Sequence, residues 1–197
     1  PFKDQNLIIL RCPSLMYNYS GILPFGLSTI TAMLTQKGYS ITQDDLDVKC
    51  ASGGLFPRNR WGKQFPAKEM MLDIERVRRF WEDGEDGEIF QLVENVLSYT
   101  DLENCDTVLI SCIEGDDSAA VLALCLGKYI KSILGKIVII GGEAFPHMQP
   151  IKSDIESFYR TGCLDYYIQG YGETALLELF DRLDQGAPLD DVSGLIY

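Results

Sequence analysis

An α/β fold with a parallel sheet covered on both faces is what this sequence predicts, on three observations. Short apolar runs alternate with segments of helical spacing through most of the chain. The runs are too short for helices, are rich in β-branched and aromatic residues, and stop at glycine or at Cys-Pro. The segments between successive runs are long enough for the crossover that two parallel strands need.

Taken in order, Leu7–Arg11 is the first strand, ending at Cys12-Pro13-Ser14. A loop then leads to a helix over Phe25–Lys37, with Leu27, Ile30, Met33 and Leu34 on its apolar face and Gly38 as its stop. Tyr39–Leu46 reads as the second strand. Residues 47–104 break the rhythm. Gly53-Gly54, Pro57 and Pro66 make 47–67 loop-like, and helical spacing over 68–81 and 87–99 is interrupted at Gly84-Glu85-Asp86-Gly87. This is read as a partly helical insertion. The alternation then resumes with a strand at Thr107–Cys112, a helix at Asp117–Leu134 and a strand at Lys136–Ile140. A short helix at Pro150–Tyr159, a strand at Asp165–Gln169 and a helix at Thr174–Gln185 follow, with a further strand starting at Gly194. Right-handed crossovers make this a doubly wound, flavodoxin-like (Rossmann-like) sheet ordered 2-1-3-4-5, in a single domain over residues 1–197.

Composition narrows the function. The 197 residues carry 29 acidic and 17 basic side chains, a formal net charge of -12, which argues against nucleic-acid or anionic-membrane partners. No apolar run approaches the roughly 20 residues of a membrane span. The six cysteines form no CxxC pair, and several lie within apolar patterns as small buried hydrophobes. They read as reduced thiols of a cytoplasmic protein.

Ligands of open α/β sheets sit at the carboxyl ends of the strands, where the order reverses. Those ends here are Cys12-Pro13-Ser14, Ser111-Cys112-Ile113-Glu114, Gly141-Gly142-Glu143 and Gly170-Tyr171-Gly172-Glu173. Ser111 offers a hydroxyl, and the glycines let a ligand approach the backbone. Other chemistries find little support. There is no GxGxxG after the first strand, no GxxxxGK[ST] loop and no GxSxG elbow. His147, the one histidine, has no ligand-spaced partner.

In sequence order, Leu23-Pro24-Phe25-Gly26-Leu27, Ser111-Cys112-Ile113, Ile139-Ile140-Gly141-Gly142 and Gly170-Tyr171-Gly172-Glu173 form a constellation. It resembles the amino-terminal cobalamin (vitamin B12)-binding domain of cobalamin-dependent radical S-adenosylmethionine enzymes. The anaerobic magnesium-protoporphyrin IX monomethyl ester cyclases and various methyltransferases belong to that family. Pro-Phe-Gly-Leu is similar to its P-x-G-L helix start, and Gly-Tyr-Gly-Glu to its G-x-G-E turn.

The resemblance implies that a corrinoid is held by Ser14, by Ser111 to Glu114, by Gly141 to Glu143 and by Gly170 to Glu173. Ser111 would bond the base of the nucleotide tail, and Gly141 and Gly142 would open the slot for it. A bulky side chain at Gly142 is then expected to block the slot and spare the fold. The D-x-H-x-x-G loop is absent, since Cys12-Pro13-Ser14-Leu15-Met16-Tyr17 stands there, so no histidine from that loop is expected on cobalt. The CxxxCxxC motif is absent too. A four-iron four-sulfur cluster and S-adenosylmethionine are therefore expected only in a downstream catalytic domain, the partner of this one, and this chain alone is not expected to be catalytic. The alternative is a flavodoxin-like interaction or ligand-binding domain that has lost corrinoid binding.

Overall fold

The structure, a computed structural model, describes residues 2–15, 25–56, 66–84, 86–112, 117–142, 162–170 and 172–197. Among them, the strands are β1 (Asn6–Arg11), β2 (Ser40–Asp45), β3 (Thr107–Cys112), β4 (Ile137–Gly142), β5 (Tyr166–Gln169) and β6 (Leu195–Ile196). They form one sheet in the order β2-β1-β3-β4-β5-β6. The first five are parallel, as the alternation predicts, while β6 pairs antiparallel with β5 through Tyr167↔Ile196 and Ile168↔Leu195. A two-residue strand carries no periodicity from which its direction could be read. The fold is α/β and flavodoxin-like.

The helices are α1 (Phe25–Gln36), α2 (Leu46–Ser52), α3 (Pro66–Leu72), α4 (Ile74–Asp83), α5 (Gly87–Leu97), α6 (Asp117–Ser132) and α7 (Gly172–Gln185). On one sheet face, Ile8, Leu10, Val108, Ile110, Val138 and Ile140 pack beneath α6. On the other, Leu7, Ile9, Leu109 and Ile139 pack against α1 and α7. Strand residues of one parity thus face one layer and those of the other parity the second.

The region 47–104 departs from expectation. Residues 46–52 are helical rather than loop, because Asp45 caps α2 by accepting from the Val48 amide at 3.1 Å. The continuous helical spacing over 68–81 is divided at Asp73, which caps α4 by accepting from the Arg76 amide at 3.3 Å. Asp86 caps α5 and also takes a two-bond ion pair from Arg76 at 2.9 Å, which holds its carboxyl below the ordinary range. Helices α3, α4 and α5 pack on the outer side of α6. This explains why α6 is buried continuously from Ser118 to Gly127, with no solvent face there. Gly127 is required at its position, since a Cβ would lie 2.5 Å from the Cys163 carbonyl oxygen. The helix expected at 150–159 lies outside the described residues. No helix among those described is long and apolar enough to cross a membrane.

Candidate functional site at the carboxyl edge of the sheet

Parallel register builds the site in two rows. Arg11, Ser111, Gly141 and Ile168 are aligned across β1, β3, β4 and β5. Two residues deeper, Ile9, Leu109 and Ile139 form the second row on the same face. In-register residues of parallel strands share a face, so the upper row opens above an aliphatic floor. Helices α1 and α7 stand on either side of it. Between them lies a crevice of about 140 Å³.

Floor, rim and walls have different chemistry. The floor is Ile9, Leu109 and Ile139, and the walls include Ile30 of α1 and Leu176 of α7. Ser111, Gly141, Gly142 and Gly170 line the strand-end side, with Gly172 and Glu173 from the first turn of α7. Among the described residues nothing hydrogen-bonds the Ser111 hydroxyl, which is half-buried and has capacity for a ligand. Gly26, at the start of α1, leaves open space on the opposite wall.

The two adjacent glycines of β4 do different work. A Cβ on Gly141 would meet the Ile168 carbonyl at 3.5 Å, an ordinary contact, so a side chain there fits the fold and fills the crevice. Gly142 has φ +131°, and its Cβ would lie 2.2 Å from the Cys112 carbonyl oxygen. This corrects the expectation that a bulky Gly142 blocks the slot and spares the fold. Gly142 is a backbone requirement, whereas Gly141 gives the space.

Other residues of the expected set are placed elsewhere. The Cys112 side chain is buried in the core beneath α6, on the face away from the crevice. Ser14 follows β1 and donates its amide proton to Asp47 at 2.9 Å. Asp47 lies 3.7 Å from Arg11, whose guanidinium also donates to Asp45 at 3.1 Å. Arg11 is only 2% exposed, and this ion network ties the segment after β1 to the β2–α2 corner. Ile113, Glu114, Glu143, Tyr171 and His147 lie outside the described residues.

Comparison with known proteins gives a likeness of structure. No family model matches the chain, and no curated protein matches it. The fold does have a match among solved structures. The radical S-adenosylmethionine methyltransferase TsrM from Kitasatospora setae, with tryptophan substrate and the S-adenosylmethionine analogue aza-SAM bound, is 18% identical with a TM-score of 0.51. That match covers 97% of this chain and 28% of that one, so this chain spans less than a third of the enzyme's length. A second TsrM structure, with cobalamin and a [4Fe-4S] cluster bound, is 20% identical over 98% of this chain and 29% of that one, at a TM-score of 0.48. At such identity the first match is a likeness of fold.

Sequence reasoning missed the floor and the walls. Ile9, Leu109, Ile139, Ile30 and Leu176 look like ordinary core positions. The signal that finds Leu109 is strand alternation: it stands two residues before Ser111 and so shares its face. Arg11 was also missed, because it reads as the polar end of an apolar strand.

Proposed function

We propose that this chain is a corrinoid-binding module of a cobalamin-dependent radical S-adenosylmethionine enzyme. The observation that carries the reading is the crevice between α1 and α7. There Ser111 of β3, Gly141 of β4, Gly170 just after β5, and Gly172 and Glu173 of α7 converge at the strand-end edge above an apolar floor. A corrinoid is a broad plate with a nucleotide tail, and the tail needs a narrow slot free of side chains. Gly141 supplies that space, since a Cβ would project there with only ordinary contacts.

The residues fit the group. Ser111 would bond a nitrogen of the tail base, Gly170 and Gly172 would let the tail pass close to backbone, and Glu173 would accept from its hydroxyls or amides. Bound cobalamin supplies methyl-transfer or radical chemistry at cobalt. The protein orients it by keeping the tail in a water-poor crevice. The plate would rest at the strand ends, near the segment after β1 that Asp47 and Arg11 hold. In this reading the iron-sulfur cluster and S-adenosylmethionine belong to a catalytic domain following in the parent protein. Of the two parent activities that the motifs suggest, cyclase and methyltransferase, the methyltransferase has a solved structure of this fold behind it.

The test is a visible-spectrum titration of the chain with hydroxocobalamin. Saturable binding is expected, with the tail base released from cobalt. The cob(II)alamin form should show no histidine nitrogen splitting in its EPR spectrum. Absence of any saturable spectral change would remove the corrinoid and leave a flavodoxin-like interaction domain.

A further inference from the structure

The crevice's chemistry also specifies which tail it accepts, an inference that rests on the corrinoid reading above. Among the described residues, the side chains on the crevice face are aliphatic, from Ile9, Leu109, Ile139 and Ile168 of the sheet and from Ile30 and Leu176 of the helices, with one hydroxyl, Ser111, and one carboxylate, Glu173. Ser111 and Glu173 sit at the level of the strand ends and the first turn of α7. The row beneath Ser111 is aliphatic, and Ile9, Leu109 and Ile139 in it are no more than 4% exposed. Their strand amides and carbonyls are engaged in the ladder with neighbouring strands. A group reaching that depth meets hydrocarbon.

We infer that the crevice selects a corrinoid whose tail base is a benzimidazole over one whose tail base is a purine. A benzimidazole presents one unsubstituted ring nitrogen, for which the Ser111 hydroxyl is a sufficient partner, and a carbocyclic ring that suits the floor. Adenine presents an exocyclic amine and further ring nitrogens. Glu173 could accept from the amine at the mouth, but the single Ser111 hydroxyl cannot satisfy the several ring nitrogens, and each polar group left facing the floor keeps a desolvation penalty. Size agrees. An apolar cavity of about 150 Å³ takes up one benzene ring. A crevice of about 140 Å³ therefore has room for the inner ring of a planar base, with the rest toward the mouth.

Equilibrium titration of the 197-residue chain with three aquo-corrinoids tests this, followed by visible spectroscopy: hydroxocobalamin, its adenine-tailed counterpart, and cobinamide, which has no tail. Cobalamin is expected to bind at least roughly tenfold more tightly than the adenine-tailed corrinoid, the size of one unsatisfied buried polar group. Methyl groups on the benzimidazole should add to affinity, checked with the unmethylated benzimidazole corrinoid. Equal affinity for the benzimidazole and adenine tails would overturn the selectivity. Cobinamide binding as tightly as cobalamin would also overturn it, because the tail would then lie outside the crevice, although a corrinoid module would stand. Failure of all three to bind would sink the corrinoid reading itself, so the two failures are distinguishable.

Discussion

The two faces of the sheet are finished in opposite ways. Beneath α6, the sheet carries two helical layers, since α3, α4 and α5 cover the outside of α6. Over the other face the described helices are α1 and α7, in a single layer, and at the strand ends they leave a crevice. The same sheet thus presents a closed side, with side chains interlocked around one enclosed helix, and an open side, with glycine where a neighbour would otherwise be. The comparison teaches that the extra residues between β2 and β3 strengthen the side away from the strand-end crevice. They thereby leave the other side free to stay incompletely packed.

Mutations on the two sides should therefore have separable effects. The largest is expected on the closed side. Phe80→Ala on α4, at a position 3% exposed, should cost about 3–5 kcal/mol of unfolding free energy in urea. Corrinoid affinity of the protein still folded should not change. A matching loss of affinity would show that the two sides are coupled.

On the open side the pattern reverses. Gly141→Leu should leave stability within about 1 kcal/mol, while corrinoid affinity falls roughly a hundredfold, about 3 kcal/mol. Its neighbour behaves like the closed side. Gly142→Ala should cost roughly 1–3 kcal/mol through backbone strain alone, because its φ is +131°. Equal effects of the two substitutions on stability would mean that the register argument is wrong.

Smaller again is Ser111→Ala. Loss of a single hydrogen bond to the tail should weaken cobalamin binding by roughly 1 kcal/mol and leave thermal stability nearly unchanged. Cobinamide affinity should not respond to it.

The last effect is absent at neutral pH. Burial, reinforced by Asp47, Asp44 and Asp45, pushes the Cys50 thiol from 9.0 up to about 12. A thiol raised in the folded state keeps its contribution fully below the unfolded value and loses it as pH rises toward the folded value. Stability should therefore fall between pH 9 and 12, and Cys50→Ala should flatten that fall. An unaltered slope would show that other groups carry it, among them Tyr39 of the open side, raised by burial and by its hydrogen bond to Asp184.

Much of the fold was legible because parallel strands, buried on both faces, read as unbroken apolar runs. Leu7–Leu10, Val108–Ile110 and Val138–Ile140 each show it. Legibility failed where a single capping side chain decided the outcome. Asp73 divides one helical pattern into two helices, and Asp45 starts α2 in a stretch whose Gly53-Gly54 end reads as loop. The rim of the crevice was legible as serine and glycine at strand ends. Its floor was not, since a leucine under a ligand and a leucine under a helix look alike. Nor was the division of labour between Gly141 and Gly142, which depends on register and on φ.

The enclosure of α6 has a consequence in time. Its amides from Val121 to Gly127 are hydrogen-bonded in a helix with no solvent face there, so their deuterium exchange requires the whole molecule to open. Helix α1, where Phe25 is 74% exposed, packs on the thinner side and can exchange through local opening. A bulky ligand entering between α1 and α7 therefore works against a slow frame with a fast edge. The edge can part and reclose many times within one lifetime of the frame.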